Sequence, residues 1–382
     1  MVAYNINLNT TSVRRANAIA FDVREAGRVK REGDKLTGKV VRDALGNPVM
    51  VPGSLPSVKA IGWFIEEYGI AQISMNLANL NVTPVHIAFD EVCRKANERG
   101  IRVTGSELVG LIPLKSMLDA GKYFLHKQKR SSGVSEKELV KIAITSMGLS
   151  ELAHFKPEER IIEYLLKDSS CTSLISMKLN DFADETASES PAPGGGSIAA
   201  YVGALGASLG TMVANLSAIK KGWDDRWEEF STWAEKGQED KAELLKLVDA
   251  DTHAFNQLMQ SFTLPKSNEK EEKARNEAIQ VATKYAIQIP FKVMEIAYIS
   301  MEVIKVMAET GNPASASDAG VAALCARTAV RGAFLNVRIN AINYKDKDFV
   351  ENILKKGEEL ETKASEKEIL ILKLVDSKIA VG

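Results

Sequence analysis

The stretch from Ser190 to Tyr201 most constrains the fold of this chain, because it joins two prolines to three consecutive glycines. Proline fixes φ and has no N–H, so no helix passes through Pro193. Ser197 follows the glycines and is predicted to cap the next helix. That helix carries two series of small residues spaced four apart. The first is Ala199, Gly203 and Ala207, and the second is Gly206, Gly210 and Ala214. The sequence therefore predicts a helix over 197–218 against which other backbones pack closely.

Two interpretations of Gly194, Gly195 and Gly196 stay open. A glycine-rich turn that leads into a helix exposes backbone amides, and the helix dipole favours an anion at that position. Equally, the three glycines could form a flexible hinge before a core helix. A nucleotide site is not expected, because the spacing matches neither the P-loop nor the G-x-G-x-x-G pattern.

The first 110 residues have a mixed pattern of strands and helices. Strands are predicted at 2–8, 58–65, 70–77 and 101–109, and helices at 13–26 and 83–99. The polar, glycine-rich residues 28–56 are predicted to form a long hairpin-like excursion. The order β-α-β-β-α-β is typical of the split βαβ, or ferredoxin-like, fold. We therefore expect an α+β domain with an antiparallel sheet and both helices on one face.

The β-type pattern ends at Pro113, and the rest of the chain is predicted to be helical. Three connector helices are expected at 114–129, at 136–147 and from Pro157, and the domain boundary is placed near Asp168. The helices expected beyond it lie at 174–183, 197–218, 223–254, 269–286, 290–309, 315–342 and 346–377. The predicted domains are thus 1–168 and an all-α helical bundle over 172–382.

The composition limits the classes of partner. The 49 basic and 50 acidic residues are balanced, so no general attraction to nucleic acid or to a membrane surface is expected. The three cysteines are far apart, which favours a reduced, cytoplasmic protein and gives no spacing for a zinc cluster. No apolar run is expected to reach the ~20 residues of a membrane span. The apolar Gly/Ala helix, with a glycine groove at Gly203, Gly206 and Gly210, predicts a homo-oligomer.

Asp251 is the strongest candidate for a catalytic group. It lies three residues after Val248 and four before Phe255, which places it on the apolar stripe of a predicted helix, whereas Asp249 points about a quarter-turn away. A carboxyl group on an apolar face costs desolvation energy unless it is paired or functional. The alternative is that Asp251 caps a neighbouring helix. A metal site from Asp249, Asp251 and His253 is not expected, because the helical spacing does not let them converge.

Two further polar pairs are candidates for substrate binding. Asn336 and Asn340 lie four apart on an otherwise apolar helix, so their amides could bind a flat heterocycle or satisfy a neighbouring backbone. Lys220 and Lys221 follow the glycine-rich helix and suit a polyanionic tail, although the helix dipole explains them equally well.

Several segments resemble a known enzyme family, the bifunctional formimidoyltransferase–cyclodeaminases. Resemblance to the C-terminal subdomain of the transferase rests on residues 3–8, 59–63, 72–77, 105–113 and 159–165. Resemblance to the cyclodeaminase rests on Ala192-Pro193-Gly194-Gly195-Gly196-Ser197, Asp249-Ala250-Asp251 with Ala254-Phe255, and Ser317-Asp318 with Asn336-Val337 and Asn340. The two motif sets occur in the family's order and cover nearly the whole chain.

The resemblance implies closure of 5-formimidoyltetrahydrofolate to 5,10-methenyltetrahydrofolate with loss of ammonia, without a metal or redox cofactor. It implies that Asp251 or Asp249 is the catalytic acid, and helical phase favours Asp251. The implied folate contacts, for a substrate that could carry a polyglutamate tail, are Gly194, Gly195, Gly196, Ser197, Asp249, Lys220, Lys221, Asp318, Asn336 and Asn340, with Leu55, Pro56 and Ser57 in the first domain. Alternatives are a methenyltetrahydrofolate cyclohydrolase and a non-catalytic folate-binding subunit.

In the family the transferase has an N-terminal subdomain that carries its catalytic histidine. The first residues of this chain resemble the start of the second subdomain, and His86, His126, His154 and His253 do not match that histidine. We therefore expect the N-terminal subdomain to be absent, or supplied by a separate chain, and transferase activity to be negligible. We also expect uncovered apolar surface near Val2, Tyr4, Ile6 and Leu8.

Overall fold

The computed structural model describes residues 1–33, 37–166 and 173–380. The chain forms two units, the first made of Met1–Gln128 and Ser135–Asp168 and the second of Lys129–Val134 and Ser169–Gly382. The predicted joint at Asp168 lies outside the described residues. The division at 168 and 172 stays a prediction, and the short segment Lys129–Val134, which we predicted to belong to the first domain, groups with the second unit.

Unit 1 contains a four-stranded antiparallel sheet in the order β6-β7-β1-β8. Its strands are β1 (Val2–Leu8), β6 (Val58–Ile65), β7 (Ile70–Leu77) and β8 (Val103–Val109). Between them, the predicted excursion forms two short ladders from β2 (Arg28–Val29), β3 (Arg31–Glu32), β4 (Lys39–Val40) and β5 (Met50–Val51). The mixed α and β character of this unit is as predicted, and its assignment to the ferredoxin-like fold stays a prediction.

Helices pack against the sheet of unit 1 and form its hydrophobic core together with the strands. They are α1 (Val13–Val23), α2 (Val85–Asn97), α3 (Leu114–Lys127), α4 (Glu136–Met147), α5 (Pro157–Arg160) and α6 (Ile162–Leu165). The third connector helix is therefore two short helices, because Ile161 is extended and bridges to Ile112.

The expectation of uncovered apolar surface on the first strand is wrong. Val2, Tyr4, Ile6 and Leu8 are at most 3% exposed, because β1 is an inner strand and its apolar side chains belong to the core of unit 1. Exposed apolar side chains of the sheet lie instead on its edge strands, at Ile61, Trp63 and Phe64 of β6 and at Val109 of β8.

The secondary structure of unit 2 consists of helices, and its described residues contain no strand. Its helices are α7 (Leu179–Ala187), α8 (Gly195–Ala218), α9 (Trp227–Phe262), α10 (Glu269–Thr310), α11 (Ala316–Ala341) and α12 (Lys347–Ile379), with single 3₁₀ turns at Leu174–Ser176, Asp224–Arg226 and Pro313–Ser315. The helix predicted over 174–183 is wrong, because the chain is extended at Met177 and Lys178 between the first 3₁₀ turn and α7.

α10 passes through Pro290, where the start or a kink of a new helix was predicted. A proline in a helix leaves the carbonyl four residues earlier without its N–H donor. Here that carbonyl belongs to Ala286, and Nδ2 of Asn340 in α11 donates a hydrogen bond of 2.7 Å to it. The side chain of one helix thus replaces the backbone bond that another helix loses.

The glycine face of α8 is filled by the same chain, which corrects the expectation of an empty groove there. A Cβ at Gly203 would lie 3.0 Å from Cβ of Ala329, and one at Gly206 would lie 2.9 Å from the carbonyl of Ala322 in α11. α10 closes the groove at Gly210, where Ile304 would lie 3.0 Å from a Cβ. The small residues therefore serve close packing inside unit 2.

α8 is the one helix in residues 1–33, 37–166 and 173–380 that is long and apolar enough to cross a membrane. This corrects the expectation that no apolar stretch reaches such a length. Of its most apolar window, 61% is buried inside the protein, and the core helix of a soluble protein has the same length and composition.

Candidate active site at the amino end of α8

The amino end of α8 is built from the proline- and glycine-rich stretch. The Ala192–Pro193 peptide bond is cis, Gly194 is the N-cap residue without a side-chain cap, and the helix begins at Gly195. The prediction that Ser197 caps this helix is therefore wrong. Ser197 is a fully buried residue of the first turn. The first turn of an α-helix has free N–H groups, so this end offers backbone donors beside the side chains that approach it.

The carboxyl group of Asp251 in α9 lies against this turn. Oγ of Ser197 donates a hydrogen bond of 3.0 Å to Oδ2 of Asp251. A Cβ at position 196 would lie 2.2 Å from Oδ1, so only glycine leaves room for the carboxyl group at that position. The helical phase that placed Asp251 toward the apolar stripe is thus matched by its contact with α8.

Burial raises the pKa of Asp251 above its usual value, because desolvation disfavours the carboxylate. Hydrogen bonds from the hydroxyl and the backbone of Ser197 lower the same pKa and offset part of the rise. The net effect is a carboxyl group that keeps its proton to a higher pH than a free aspartate does. Such a group can act as an acid as well as a base.

Thr252 is a residue of this cluster that the sequence analysis missed. Its Oγ1 lies 3.3 Å from Oγ of Ser197, so the serine hydroxyl lies within hydrogen-bonding distance of both Asp251 and Thr252. Its position directly after Asp251 did not indicate that it belongs to the site, because adjacent residues on a helix point in different directions.

Asp249 has a structural role in unit 2. Its Oδ2 accepts a hydrogen bond of 2.5 Å from Oγ of Ser173, and its Oδ1 accepts one of 2.7 Å from the backbone N–H of Leu174. Both oxygens thus hold the start of the 3₁₀ turn at Leu174–Ser176. Asp249 and Asp251 point in different directions from α9, so their carboxyl groups meet different partners. Both oxygens of Asp249 already accept hydrogen bonds, and neither is left free for the substrate contact that was predicted.

The paired amides on α11 have different environments. Asn336 lies beside the first turn of α8, since a Cβ at Gly195 would lie 3.4 Å from its Nδ2, which donates to the carbonyl of Gly332. Its Oδ1 accepts no hydrogen bond from the described residues. Asn340 instead donates to the carbonyl of Ala286. Of the two amides, Asn336 is the one that the structure leaves available to a ligand.

Three of the predicted substrate contacts lie far from Asp251. α8 and α11 are antiparallel, because Gly195 faces Asn336 whereas Gly206 faces Ala322. Asp318 precedes Asn336 by 18 residues on α11, which is about 27 Å along the helix. Lys220 and Lys221 follow the far end of α8, about 36 Å from its start, and Nζ of Lys220 lies 3.9 Å above the ring of Trp223. Within one chain these residues do not join the site.

The predicted folate contacts of the first domain lie at the start of β6 in unit 1. Leu55 is buried in the core of that unit, and its N–H donates to the carbonyl of Val23. The carbonyl of Pro56 accepts a hydrogen bond of 2.6 Å from Oγ1 of Thr83. Ser57 has a positive φ of 58°. The segment is thus held in place by contacts inside unit 1.

The structure groups no metal-ligating side chains in the described ranges 1–33, 37–166 and 173–380. His253 is exposed, and its Nε2 lies 3.0 Å from Nε2 of Gln257. Its ring therefore faces along the outside of α9, away from the cluster at Asp251. The expectation that the reaction needs no metal stays a prediction.

A cleft of about 1010 Å³ begins two turns beyond Asp251 on α9. Its walls come from α9, from Leu264 in the loop after α9, from α10 and from Tyr344 after α11. They are Gln257, Gln260, Ser261, Leu264, Ala278, Gln280, Val281, Ala282, Lys284, Tyr285, Gln288 and Tyr344. Four glutamine amides and two tyrosine rings give this cleft both hydrogen-bonding groups and flat apolar surfaces. Such a lining suits an aromatic ligand with amide groups.

Comparison with known proteins identifies the class of both units. Residues 178–359 match the family model described as Formiminotransferase-cyclodeaminase, and residues 3–167 match the model described as Formiminotransferase domain. The chain belongs to the formiminotransferase-cyclodeaminase family. A formiminotransferase domain is thus present in this chain, and the comparisons give no support to the expectation that transferase activity is negligible.

Three relatives illustrate the similarity. The mouse protein named formimidoyltransferase-cyclodeaminase is 37% identical over 92% of this chain, which spans 61% of the mouse protein. A methenyltetrahydrofolate cyclohydrolase of Methylorubrum extorquens is 36% identical over 53% of this chain and 97% of its own length. The crystal structure of formiminotetrahydrofolate cyclodeaminase from Thermotoga maritima is 30% identical, with a TM-score of 0.48, over 54% of this chain and 99% of that one.

Proposed function

We propose that unit 2 closes 5-formimidoyltetrahydrofolate to 5,10-methenyltetrahydrofolate and releases ammonia, with Asp251 as the group that moves the proton. The observation that carries the proposal is the half-buried carboxyl group of Asp251, held by Ser197 against the first turn of α8. The family membership supports the reaction class, because relatives named as cyclodeaminases align with this unit.

The chemistry requires one group that both accepts and donates a proton. The formimidoyl group reacts in its protonated form. N10 of the folate forms a bond to the formimidoyl carbon, the carbon–nitrogen double bond becomes a single bond to a neutral amino group, and N10 loses its proton, which gives a tetrahedral aminal. The bond from this carbon to the amino nitrogen then breaks, and that nitrogen must be protonated to leave as ammonia. Asp251 can take the proton from N10 and deliver it to the leaving nitrogen, and such acid–base help is worth about 10²–10⁴ in rate.

The surroundings of Asp251 supply the binding groups in this proposal. Gly196 lies against the carboxyl group of Asp251, and Gly195 lies against the amide of Asn336. The backbone amides of this turn and the amide of Asn336 are proposed to hold the pterin heterocycle. The cleft beyond them on α9 and α10 is proposed to take the aromatic and amide portion of the folate. Ser197 positions Asp251 and is not itself proposed to react.

An assay with purified protein and 5-formimidoyltetrahydrofolate tests this proposal. We expect methenyl absorbance and free ammonia to appear together in equal amounts. Absence of both products from well-folded protein would contradict it.

Methenyltetrahydrofolate cyclohydrolase is the second candidate, because the Methylorubrum relative named so aligns over nearly its whole length with unit 2. The same two readouts, with 5,10-methenyltetrahydrofolate supplied as the substrate, distinguish the two reactions. A cyclohydrolase would consume 5,10-methenyltetrahydrofolate with loss of its absorbance, and it would release no ammonia.

We further propose that unit 1 takes part in a glutamate formimidoyltransferase reaction, which the match to the Formiminotransferase domain supports. The test is the formation of glutamate from formimidoylglutamate and tetrahydrofolate. Supply of an N-terminal transferase subdomain by a separate chain stays a prediction, as does a cytoplasmic location. Co-purification of a second polypeptide that raises the transferase rate would support a separate subunit.

A homo-oligomer through unit 2 is also proposed, on a different surface from the one first expected. The glycine face of α8 is filled, whereas its opposite face exposes Leu205, Met212, Leu216 and Ile219 at helical spacing. A second copy of the chain is the proposed partner for this stripe. Light scattering that finds a monomer at micromolar concentration would contradict it.

A further inference from the structure

One short segment of unit 2 precedes the rest of that unit in the chain. Lys129–Val134 belongs to unit 2, whereas the chain on either side of this segment belongs to unit 1. Within it, residues 131–133 are buried, with Ser131 7% and Ser132 1% exposed, and we call these three residues the docking strap. Connecting segments usually run over the surface, because a buried one must find partners for its polar groups.

The docking strap lies against α8 and α9. Five residues of these helices contact it, and together they are called the strap groove. They are Asn215 from α8 and Ser231, Ala234, Glu235 and Gln238 from α9. The four residues of α9 are three or four positions apart, so they lie on one face of that helix. The groove therefore has one wall from each helix.

The amide group of Asn215 uses both of its ends on the strap. Oγ of Ser131 donates a hydrogen bond of 2.7 Å to Oδ1 of Asn215, and Nδ2 of Asn215 donates one of 2.7 Å to the carbonyl of Gly133. Nε2 of Gln238 donates a second bond, of 3.3 Å, to the same carbonyl. The N–H of Gly133 donates to Oγ of Ser131 within the strap. The polar groups of Ser131 and Gly133 thus have partners despite their burial.

The middle residue of the strap is bound through its backbone and its side chain. The N–H of Ser132 donates a hydrogen bond of 3.0 Å to Oγ of Ser231, which is 2% exposed. The hydroxyl of Ser132 donates one of 2.5 Å to Oε1 of Glu235. A hydrogen bond to a carboxylate is stronger than one between neutral groups. Position 132 is therefore held on α9 alone, whereas Asn215 holds its neighbours on α8.

The last residue of the strap has to be glycine for reasons of space. A Cβ at position 133 would lie 2.2 Å from Cβ of Ala234 and 2.7 Å from the backbone nitrogen of Glu235. Gly133 is not among the residues with a positive φ, so its backbone conformation alone would accept alanine. The groove thus specifies a hydroxyl, a second hydroxyl and then the absence of a side chain.

The backbone just before the strap is strained. Lys129 has a φ of 52°, which lies in the left-handed region that residues other than glycine rarely adopt. Such a conformation costs free energy and persists only where the surrounding contacts impose it. The contacts of the docking strap, two residues further on, supply that stabilisation. The strain and the hydrogen bonds are two separate signs that the strap is held firmly.

We propose that the strap groove is a docking site for a Ser-Ser-Gly segment, and that its partner is the connector between α3 and α4 of this same chain. The strap docks and opens as one element, because its bonds share Asn215 and its fit depends on Gly133. The fold of unit 2 is then complete only with residues 129–134. The boundary expected from the sequence, 172–382, omits them. This inference does not depend on the reactions proposed for either unit.

Limited digestion of the full chain with trypsin tests the proposal. Lys129 and Arg130 are exposed directly before the strap, but trypsin must also bind the residues that follow them, and docking keeps those buried. The initial rate of cleavage here therefore follows the population of the open strap. Gly133→Ala is expected to raise that rate about tenfold or more. Gly332→Ala is the matched control, since a Cβ in α11 at that position would have only an ordinary contact of 3.4 Å with Cβ of Ala199.

Two milder variants test the contact with α8. Ser131→Ala and Asn215→Ala each remove the hydrogen bond between these two side chains, and each is expected to raise the rate of cleavage about fivefold. Because the two substitutions break the same bond, the double variant should be cleaved at nearly the rate of Asn215→Ala alone. Mass spectrometry of the first fragments separates cleavage at Lys129 and Arg130 from cleavage elsewhere, which would report general unfolding.

The outcomes decide the proposal in either direction. Selective cleavage at the strap in Gly133→Ala, together with non-additive effects of Ser131→Ala and Asn215→Ala, supports it. A rate in Gly133→Ala equal to that of the wild type overturns it, as do effects of the two milder variants that simply multiply. If Gly133→Ala is cleaved faster at every site, the chain as a whole has been destabilised. The comparison of Ser131→Ala, Asn215→Ala and the double variant then gives the answer.

Discussion

The hydroxyl of Ser197 donates a hydrogen bond of 3.0 Å to Oδ2 of Asp251, and this bond joins the first turn of α8 to the middle of α9. A donor to the carboxylate stabilises the charged form, whereas the burial of Asp251 disfavours it. The two effects oppose each other at one carboxyl group. A carboxyl group with these two opposing influences suits the proton transfer in both directions that the proposed ring closure with loss of ammonia requires.

Asp251→Asn is expected to lower the cyclodeaminase rate by about two orders of magnitude or more, because the amide keeps the shape and cannot transfer the proton. The melting temperature and folate affinity should change little, since an asparagine oxygen still accepts a bond from Ser197. Turnover by methenyl absorbance and ammonia release, together with thermal unfolding, measures both effects.

Asp249→Asn is the matched control for that substitution. It changes the same chemical group two residues away, where both oxygens hold Ser173 and Leu174. We expect Asp249→Asn to reduce the rate less than Asp251→Asn does and to lower the melting temperature relative to the wild type. A nearly wild-type rate with a lowered melting temperature for Asp251→Asn would instead make Asp251 a structural residue.

Gly196→Ala is expected to reduce turnover strongly, because the added Cβ would lie 2.2 Å from Oδ1 of Asp251 and must displace the carboxyl group. Gly194→Ala is the control, since a Cβ at that position would have only an ordinary contact of 3.8 Å with the carbonyl of Pro191. Steady-state kinetics of both variants gives the comparison. Similar rates for the two would show that the room beside Gly196 is unimportant.

Asn340→Ala is expected to destabilise unit 2 by about 1–3 kcal/mol, because the carbonyl of Ala286 loses its donor. In a Pro290→Ala background the backbone N–H of residue 290 can donate to that carbonyl, so the same substitution should cost much less. Denaturant unfolding of the two single variants and the double variant measures this coupling. Equal costs of Asn340→Ala in both backgrounds would contradict the explanation.

Asp240 is expected to make the stability of unit 2 depend on pH. Desolvation is the main cause that raises its pKa to about 6, and its Oδ2 is buried without a partner among the described residues. A raised pKa in the folded state means that the unfolded chain loses its proton first, so stability falls as the pH rises from about 4 to about 6.

Asp240→Asn should remove this dependence and stabilise the protein by about 1–3 kcal/mol at pH 7, with no gain at pH 3.5. The measurement is the free energy of unfolding as a function of pH for both proteins. A constant difference between them across the pH range would show that the carboxyl group of Asp240 does not titrate in this window.

Local patterns in the sequence predicted the features that depend on a single element. Alternation predicted the first strand, runs of β-type residues predicted the other three long strands, and helical phase placed Asp251 on the inner side of α9. The same phase argument separated Asp251 from Asp249, whose carboxyl group meets different partners. These predictions succeeded because periodicity fixes which side of an element a residue occupies.

The features that sequence reasoning missed depend on contacts between elements. Ser197 is inside α8 because Gly194 takes the cap position, and its hydroxyl is used by Asp251. The groove at Gly203 and Gly206 is filled by α11, which no property of α8 alone reveals. The cover over Tyr4 likewise comes from packing that the strand's own pattern does not specify.

Asn340 donates a hydrogen bond to the carbonyl of Ala286, which Pro290 leaves without a backbone donor, and this bond affects how the protein can change over evolution. A proline at position 290 is tolerated only while position 340 supplies an amide donor, and an amide at position 340 has little structural value once the proline is gone. The two positions, 50 residues apart in the chain, should therefore be inherited as a pair in descendants of this sequence. A lineage that loses the asparagine before the proline passes through a less stable intermediate. A lineage that loses the proline first does not.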